Sequence, residues 1–170
     1  MAKQRTASSE FPTRVSEPLI SYEFVLPGDT NHYGGLYGGR LLESMIKQAF
    51  LAGTRYCRKV VLAAACERMD FIAPVHQGEI LETSSKVLYT QDGWLVVQVI
   101  AQSEHPTKVD KRLATKGFFI MAAREEDRTA AAIPQVACLS AHERRASEEA
   151  RTILASFLER RSTAPAKRPK

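Results

Sequence analysis

The hydrophobic positions of the chain predict one buried helix in its first third. Between residues 40 and 56 apolar side chains recur three and four positions apart, the spacing of one helix face. At about 100° per residue they fill a continuous arc that covers more than half of the helix. The arc consists of Leu41, Leu42, Met45, Ile46, Ala49, Phe50, Ala52, Gly53 and Tyr56. We therefore predict that this helix is buried against a large surface.

Segments on either side of this helix predict five strands. Two of them alternate apolar with polar residues, and the other three are β-rich runs. The turn Gln91-Asp92-Gly93 favours a hairpin between the two alternating strands. The five runs cover residues 18–26, 60–73, 79–89, 94–102 and 112–123.

A second helix is predicted near the C-terminus, after the break at Pro134. Ser140 and Glu143 have the spacing of a capping box, in which each side chain bonds the backbone N–H of the other residue. An apolar stripe follows at helical spacing: Ala146, Ala150, Ile153, Leu154, Phe157 and Leu158.

Together these elements predict a single α+β domain. A five-stranded antiparallel sheet wraps around the central helix, and a C-terminal helix is added. Because one buried helix cannot cover both sheet faces, we expect association of subunits to cover side chains such as Trp94 and Phe118. The boundaries that we predict are a flexible leader (1–16), the domain itself (17–126), a C-terminal extension with its helix (127–161) and a disordered basic tail (162–170).

Composition removes several classes of protein. The 170 residues are 44% hydrophobic and 25% charged, which is ordinary for a globular protein. No apolar run is long enough to span a bilayer and no secretory signal begins the chain, so we expect a cytoplasmic protein that does not bind membranes. The net charge of +5 comes from the chain ends, which argues against nucleic-acid binding. The three cysteines form no CxxC pair, and we expect no disulfide, metal or cofactor.

The segment before the central helix carries the candidate chemistry. Residues 26–39 are rich in turn formers, and they include the glycine pairs Gly34-Gly35 and Gly38-Gly39. A glycine-rich turn that leads into a helix offers unpaired backbone N–H groups and the positive end of a helix dipole, which suits an oxyanion. The sequence contains no GxSxG motif and no Walker lysine, so a serine hydrolase and a P-loop are not indicated.

Two motifs together resemble those of the acyl-CoA thioesterases of the hotdog fold, in the branch of broad-specificity and cytosolic long-chain acyl-CoA hydrolases. The first is Pro27-x-Asp29-Thr30-Asn31 with the glycines that lead into the helix, and the second is Asp70-Phe71-Ile72-x-Pro74. The resemblance covers about residues 18–125. It implies a sheet wrapped around the helix, and protomers that pair into a ten-stranded sheet as a homodimer or a larger assembly, such as a hexamer built as a trimer of dimers. It also implies acyl-CoA bound at the subunit interface and hydrolysed to a fatty acid and CoA without a cofactor.

The same resemblance suggests site residues. Asn31 resembles the family's site asparagine, which would orient water or the thioester, although an Asx-turn in a tight loop also explains it. Gly38 and Gly39 lie where the oxyanion donors would be. The family's acidic residue on the central helix corresponds to Ile46, which cannot act as a base. Glu43, one turn earlier, is the candidate replacement, or else it is a solvated residue at the helix edge.

Three further cations are candidates for the phosphates of CoA: Lys111, Arg112 and Lys116. Lysines at strand edges also protect sheets from aggregation, so this pattern has a second explanation.

Three functions remain open from the sequence. The first is hydrolysis of acyl-CoA. The second is acyl-CoA binding with little or no catalysis, because Ile46 replaces the acid. The third is a hydratase or dehydratase on the same fold, for which His32 is the one histidine in the site loop.

Overall fold

The computed structural model describes residues 12–163. The five long strands and the two α-helices follow in the order that the sequence predicts, and two short strands that it does not predict are added at residues 13–14 and 135–136. In chain order the elements are β1 (Thr13–Arg14), β2 (Leu19–Phe24), a 3₁₀ turn (Pro27–Asp29), α1 (Gly38–Cys57), β3 (Val60–Phe71), β4 (Ile80–Gln91), β5 (Trp94–Glu104), β6 (Arg112–Arg124), β7 (Gln135–Val136) and α2 (Ala141–Thr163).

Five of the strands form one antiparallel sheet in the order β2-β4-β5-β6-β3. The strands before and after α1 are therefore the two edges, and the later strands fill the centre. The predicted fold is confirmed. β1 and β7 pair in parallel as a separate small sheet.

Helix α1 packs on one face of the sheet. Its buried positions include Leu41, Met45, Ala49, Ala52 and Tyr56, as the periodicity predicts. Two positions correct the predicted arc. Gln48 is buried because its amide donates to the carbonyls of Leu19 (2.8 Å) and Thr83 (3.2 Å), which satisfies a polar group inside the fold. Phe50 is 43% exposed, because the apolar arc is wider than the sheet surface of one chain.

Helix α2 packs on the opposite face. A second core joins it to β4, β5 and β6, and it consists of Leu88, Val96, Phe118, Ile120, Ala150, Ile153, Leu154 and Phe157. The expectation that association of subunits covers Trp94 and Phe118 is therefore wrong. Phe118 is 5% exposed, and the rings of Trp94 and Phe157 meet edge to face at 5.5 Å. The apolar stripe of α2 matches this sheet face and covers it within one chain.

The predicted capping box at the start of α2 is confirmed. The backbone N–H of Glu143 donates to the hydroxyl of Ser140 at 3.1 Å, and the N–H of Ser140 donates to the carboxylate of Glu143 at 3.0 Å.

The end of the predicted flexible leader is part of the folded structure. Thr13 and Arg14 pair with β7, and Ser16 is buried and accepts a hydrogen bond from the N–H of Val87 at 3.0 Å. The reason is that β7 and β4 supply backbone partners to this segment. Residues 1–11 of the leader lie outside the described residues. Helix α2 extends to Thr163, and the remainder of the predicted tail, 164–170, also lies outside them.

No helix among residues 12–163 combines the length and apolarity needed to cross a membrane.

Candidate active site

The N-terminus of α1 presents backbone donors without partners inside the helix. Gly38 is the first residue of α1, and the side chain of the preceding residue, Tyr37, makes no capping bond. The helical hydrogen bonds begin with the N–H of Leu41, which donates to the carbonyl of Tyr37 at 3.0 Å. The N–H groups of Gly38 and Gly39 precede this bond, and they lie at the positive end of the helix dipole. The predicted donors are therefore at the helix terminus.

An apolar cavity of about 250 Å³ opens beside these donors. Its lining is contributed by the site loop, the start of α1 and the segment after β3: Leu36, Gly38, Leu41, Phe71, Ile72, Ala73, Pro74 and Val75. The ring of Phe71 approaches Gly38 so closely that a Cβ on this glycine would lie 3.5 Å from it. Backbone N–H groups beside an apolar wall suit a carbonyl whose neighbouring atoms are sulfur and carbon.

Asn31 forms the turn that shapes the site loop. Its side-chain oxygen accepts hydrogen bonds from the N–H groups of Tyr33 (2.9 Å) and Gly35 (3.2 Å). Its own N–H donates to the carbonyl of Gly35 at 2.8 Å. Within residues 12–163 no protein group accepts a hydrogen bond from its Nδ2 atom. The side chain therefore makes an Asx-type turn and leaves its Nδ2 donor unbonded within the described residues. Asn31 is not among the residues that line the cavity at Gly38.

The site loop is fixed to the segment that lines the cavity. The N–H of Leu36 donates to the carbonyl of Val75 at 2.8 Å, and the N–H of Gln77 donates to the carbonyl of Gly34 at 3.0 Å. These bonds join the Asn31 turn and the cavity wall into one unit.

Glu43 is in a different environment. Its carboxylate forms ion pairs with Lys47 at 2.6 Å and with Arg40 at 3.0 Å. The hydrogen bond from Lys47, together with the charges of Lys47 and Arg40, lowers the pKa of Glu43 below its usual value. Glu43 lines a separate, polar cavity of about 280 Å³ between β2 and α1. It is not among the residues that line the cavity at Gly38.

Ile46, at the position where the resemblance places an acid, is half-buried and packs against the core beneath α1. This part of the helix therefore presents an apolar surface.

The three candidate cations for CoA differ in their surroundings. Lys111 pairs with Glu82 at 2.5 Å and Arg112 pairs with Glu79 at 2.5 Å, and both carboxylates are largely buried. Arg112 also approaches the carbonyl of Pro74, a cavity residue, at 3.4 Å. Lys116 is exposed. It lies on the α2 face of β6, the same face as Phe118 and Ile120.

Sequence reasoning missed Phe71 as a cavity wall and the two carboxylates that hold Lys111 and Arg112. Both carboxylates left a signal in the sequence, because Glu79 and Glu82 are charged residues next to apolar residues of a predicted strand. His32 is exposed and its ring lies 3.9 Å from that of Tyr33. No carboxylate in the described part of the chain forms a hydrogen bond or ion pair with it, so one chain does not bring together the acid and histidine pair that a dehydratase needs.

The fold is similar to those of solved acyl-CoA hydrolases. Acyl-CoA hydrolase from Bacillus cereus superposes with a TM-score of 0.80 at 24% identity, over 85% of this chain and 88% of that one. An apo-hexameric acyl-CoA thioesterase gives a TM-score of 0.80 at 27% identity, over 86% of this chain and 94% of that one. The architecture shared with them is the hotdog fold.

Sequence comparison finds similarity to the same class of protein. Residues 33–109 match the family model of the Thioesterase superfamily. A relative from Bacillus subtilis, the uncharacterized acyl-CoA thioester hydrolase YkhA, is 27% identical over 69% of each chain. The cytosolic acyl coenzyme A thioester hydrolase of Homo sapiens is 31% identical over 57% of this chain, which spans 27% of the human protein. Over residues 33–109 this chain is similar to the thioesterase superfamily.

Proposed function

We propose that the protein hydrolyses acyl-CoA thioesters to a carboxylic acid and CoA at the N-terminus of α1. The observation that carries the proposal is the pair of N–H donors at Gly38 and Gly39 at the start of α1, of which Gly38 lines an apolar cavity. The names of the relatives from Bacillus subtilis and Homo sapiens support this substrate class. So does a Staphylococcus aureus acyl-CoA hydrolase of similar fold, which was crystallised with butyryl coenzyme A and coenzyme A.

Each part of the site has a role in this proposal. The thioester oxygen accepts hydrogen bonds from the N–H groups of Gly38 and Gly39, which stabilise the negative charge that develops when water attacks the carbonyl carbon. The apolar cavity wall contacts the sulfur and the first acyl carbons. The free Nδ2 donor of Asn31 orients the attacking water or the carbonyl. Collapse of the tetrahedral intermediate breaks the carbon–sulfur bond, and a proton from the attacking water passes to the leaving sulfur, so that the products are the carboxylic acid and the CoA thiol.

A second candidate function is acyl-CoA binding with slow turnover. Two observations favour it: Ile46 is apolar, and Glu43 is ion-paired and belongs to another cavity. The Staphylococcus aureus enzyme was also crystallised with an asparagine and an aspartate each replaced by alanine. Those two positions are as far apart in that sequence as Asn31 and Ile46 are in this one, which supports the view that this chain lacks the acid.

Lys111, Arg112 and Lys116 remain proposed contacts for the phosphates of CoA. Arg112 has the best support of the three, because it approaches the cavity residue Pro74. A phosphate there would share the guanidinium with Glu79.

We propose a homodimer in which β3 of one protomer pairs with β3 of the other to give a ten-stranded sheet. β3 is an edge strand, and it exposes the apolar side chains of Val60 (64%), Leu62 (57%) and Phe71 (62%). An exposed apolar edge of this length calls for a partner strand.

The hexameric thioesterases of similar fold, including y2039 from Yersinia pestis, support an assembly larger than a dimer. The other edge strand, β2, exposes Ile20, Tyr22 and Phe24, which offer a surface through which dimers could associate.

A cytoplasmic location is likewise a proposal, supported by the word cytosolic in the name of the human relative. That the protein binds neither nucleic acid nor membranes stays a prediction.

The test is release of free thiol from a series of acyl-CoAs of increasing chain length, with enoyl-CoA followed by ultraviolet absorbance in parallel. We expect thiol release that saturates with acyl-CoA, and no change in the enoyl absorbance. Tight acyl-CoA binding without thiol release would favour the second candidate function. Hydration of enoyl-CoA without thiol release would contradict both.

A further inference from the structure

Strand β3 contains a bulge next to the candidate site. Glu67 pairs with Phe118 and Asp70 pairs with Lys116, so two residues of β3, Arg68 and Met69, lie opposite the single residue Gly117. The backbone of Arg68 is left-handed, with φ of 49°, which is uncommon for a residue other than glycine.

Gly117 gives Met69 the room that the bulge needs. A Cβ on Gly117 would lie 3.1 Å from the sulfur of Met69, which is tighter than an ordinary contact. The bulge is therefore built into both strands.

The bulge decides which face of the sheet Phe71 occupies. In a regular strand Glu67 and Phe71, four residues apart, would point to the same face. One extra residue reverses the alternation. Glu67 therefore points toward α2, whereas Phe71 points toward α1 and packs against Gly38.

Helix α2 holds the bulge from the other face. Arg160 forms an ion pair with Glu67, and Glu149 forms an ion pair with Arg68 at 3.0 Å. Both ion pairs reach the residues where the bulge begins. The helix itself is fixed to the sheet by the core around Phe157 and by Arg161, whose guanidinium lies 5.5 Å from the ring centre of Trp94.

We propose that α2 positions the wall of the active site, because Arg160 and Glu149 hold the bulge that places Phe71 against Gly38. This inference rests on the proposed thioesterase function. Exposed ion pairs contribute little to global stability. A bulge with a left-handed residue is strained, however, and keeps its geometry only where its surroundings hold it. Arg160 and Glu149 are thus positioning residues that act through Phe71.

The variant that tests this is Glu149→Gln with Arg160→Met. Its matched control is Glu148→Gln with Arg151→Met, which also removes one acid and one base from α2 but breaks an exposed pair within the helix. We expect kcat to fall about three- to tenfold in the test variant, since a displaced wall misplaces the thioester relative to the donors. The control should keep the parent kcat. In the background Phe71→Ala the test substitutions should have no further effect on kcat.

Hydrogen exchange gives a readout that does not depend on activity. The N–H groups of Ile72 and Ala73 donate to the carbonyl of Ala114 at 2.8 and 3.1 Å, directly after the bulge. Their exchange should be faster in the test variant and unchanged in the control. The reversed pair, Glu67→Arg with Arg160→Glu, should restore slower exchange relative to Arg160→Glu alone.

The proposal would be overturned if these N–H groups exchanged at the same rate in the test and control variants. It would also be overturned if exchange were faster in the test variant but kcat were unchanged. If the parent releases no thiol from any acyl-CoA, the proposed function fails. The exchange comparison then still decides whether α2 holds the bulge.

Discussion

The side-chain oxygen of Asn31 accepts a hydrogen bond from the backbone N–H of Gly35 at 3.2 Å, and this contact determines which atoms of the amide a ligand can use. The oxygen is committed to the turn, whereas Nδ2 is available as a donor. The turn and a role in catalysis are therefore compatible, because they use different atoms of one side chain.

Two substitutions at Asn31 separate these roles. Asn31→Asp keeps the oxygen that accepts from Gly35 and removes the Nδ2 donor, whereas Asn31→Ala removes both. If the donor orients water or the carbonyl, both variants should lower kcat by about ten- to a thousandfold while the assembly keeps its mass. Steady-state thiol release together with light scattering checks this. Parent-like activity of Asn31→Asp would show that Asn31 only forms the turn.

Ile46→Asp tests whether this site works without an acid on α1. A positioned general base contributes about 10²–10⁴ in rate, so we expect faster thiol release than in the parent. Burial raises the pKa of the new carboxyl, so the gain should appear only above that pKa. The variant should be less stable, because a polar group replaces a half-buried apolar one.

Ile46→Asn is the control, since asparagine is polar and has the same size as aspartate but cannot act as a base. Glu43→Gln in the parent should change the rate little, because Glu43 belongs to an ion-pair cluster. If Glu43→Gln abolishes activity, Glu43 is the base. If Ile46→Asp folds, assembles, binds acyl-CoA and gains nothing at any pH, the mechanism does not use this helix position.

The ion pair of Arg112 with Glu79 should make stability depend on pH. Burial raises the pKa of Glu79, but the hydrogen bonds from Arg112 and from the N–H of His76 outweigh it, so this pKa lies below its usual value of 4.5. The contribution of the pair is therefore present above pH 4.5 and is lost as the pH falls through the lowered value.

In Arg112→Met the carboxylate of Glu79 stays buried without its cation, and we expect a loss of about 1–3 kcal/mol at neutral pH. Urea unfolding of parent and variant should show a difference that shrinks in acid. Arg151→Met, which breaks an exposed pair, should change the free energy of unfolding by less than about 1 kcal/mol. If the difference in free energy of unfolding between the parent and Arg112→Met stayed constant from neutral pH into acid, the ion pair would not be the cause of the pH dependence.

The exposed apolar edge of β3 predicts the mass in solution. Light scattering should give at least twice the 18.9 kDa of one chain. Leu62→Lys places a charge on this edge and should shift the mass toward the monomer. Leu139→Lys, at a position that is 73% exposed and outside the large sheet, is the matched control and should leave the mass unchanged. A monomeric parent at micromolar concentration would contradict the proposed dimer.

The sequence predicted those features that depend on neighbouring residues. The alternation of the strands, the periodicity of α1 and the capping box of Ser140 with Glu143 are local patterns, and the structure confirms them. The donors at Gly38 were predictable for the same reason, since a helix start is a local signal.

The features that sequence reasoning missed depend on contacts between distant residues. Trp94 is covered by Phe157 of α2, which lies far from it along the chain. The bulge that turns Phe71 toward α1 depends on the space above Gly117, which no period in β3 reveals. A buried Gln48 likewise requires partners on two other strands.

The most direct test of the central claim compares Gly38→Pro with Gly38→Ala. Both variants add a Cβ, which would lie at ordinary contact distance from Phe71, but only proline removes the N–H donor. Proline suits the first position of a helix, and the extended backbone of Tyr37, with ψ of 129°, allows it there. If this N–H stabilises the thioester oxyanion, kcat for acyl-CoA should be about ten- to a thousandfold lower in Gly38→Pro than in Gly38→Ala, at similar stability and mass. Equal kcat values for the two variants would contradict the placement of the oxyanion at the N-terminus of α1.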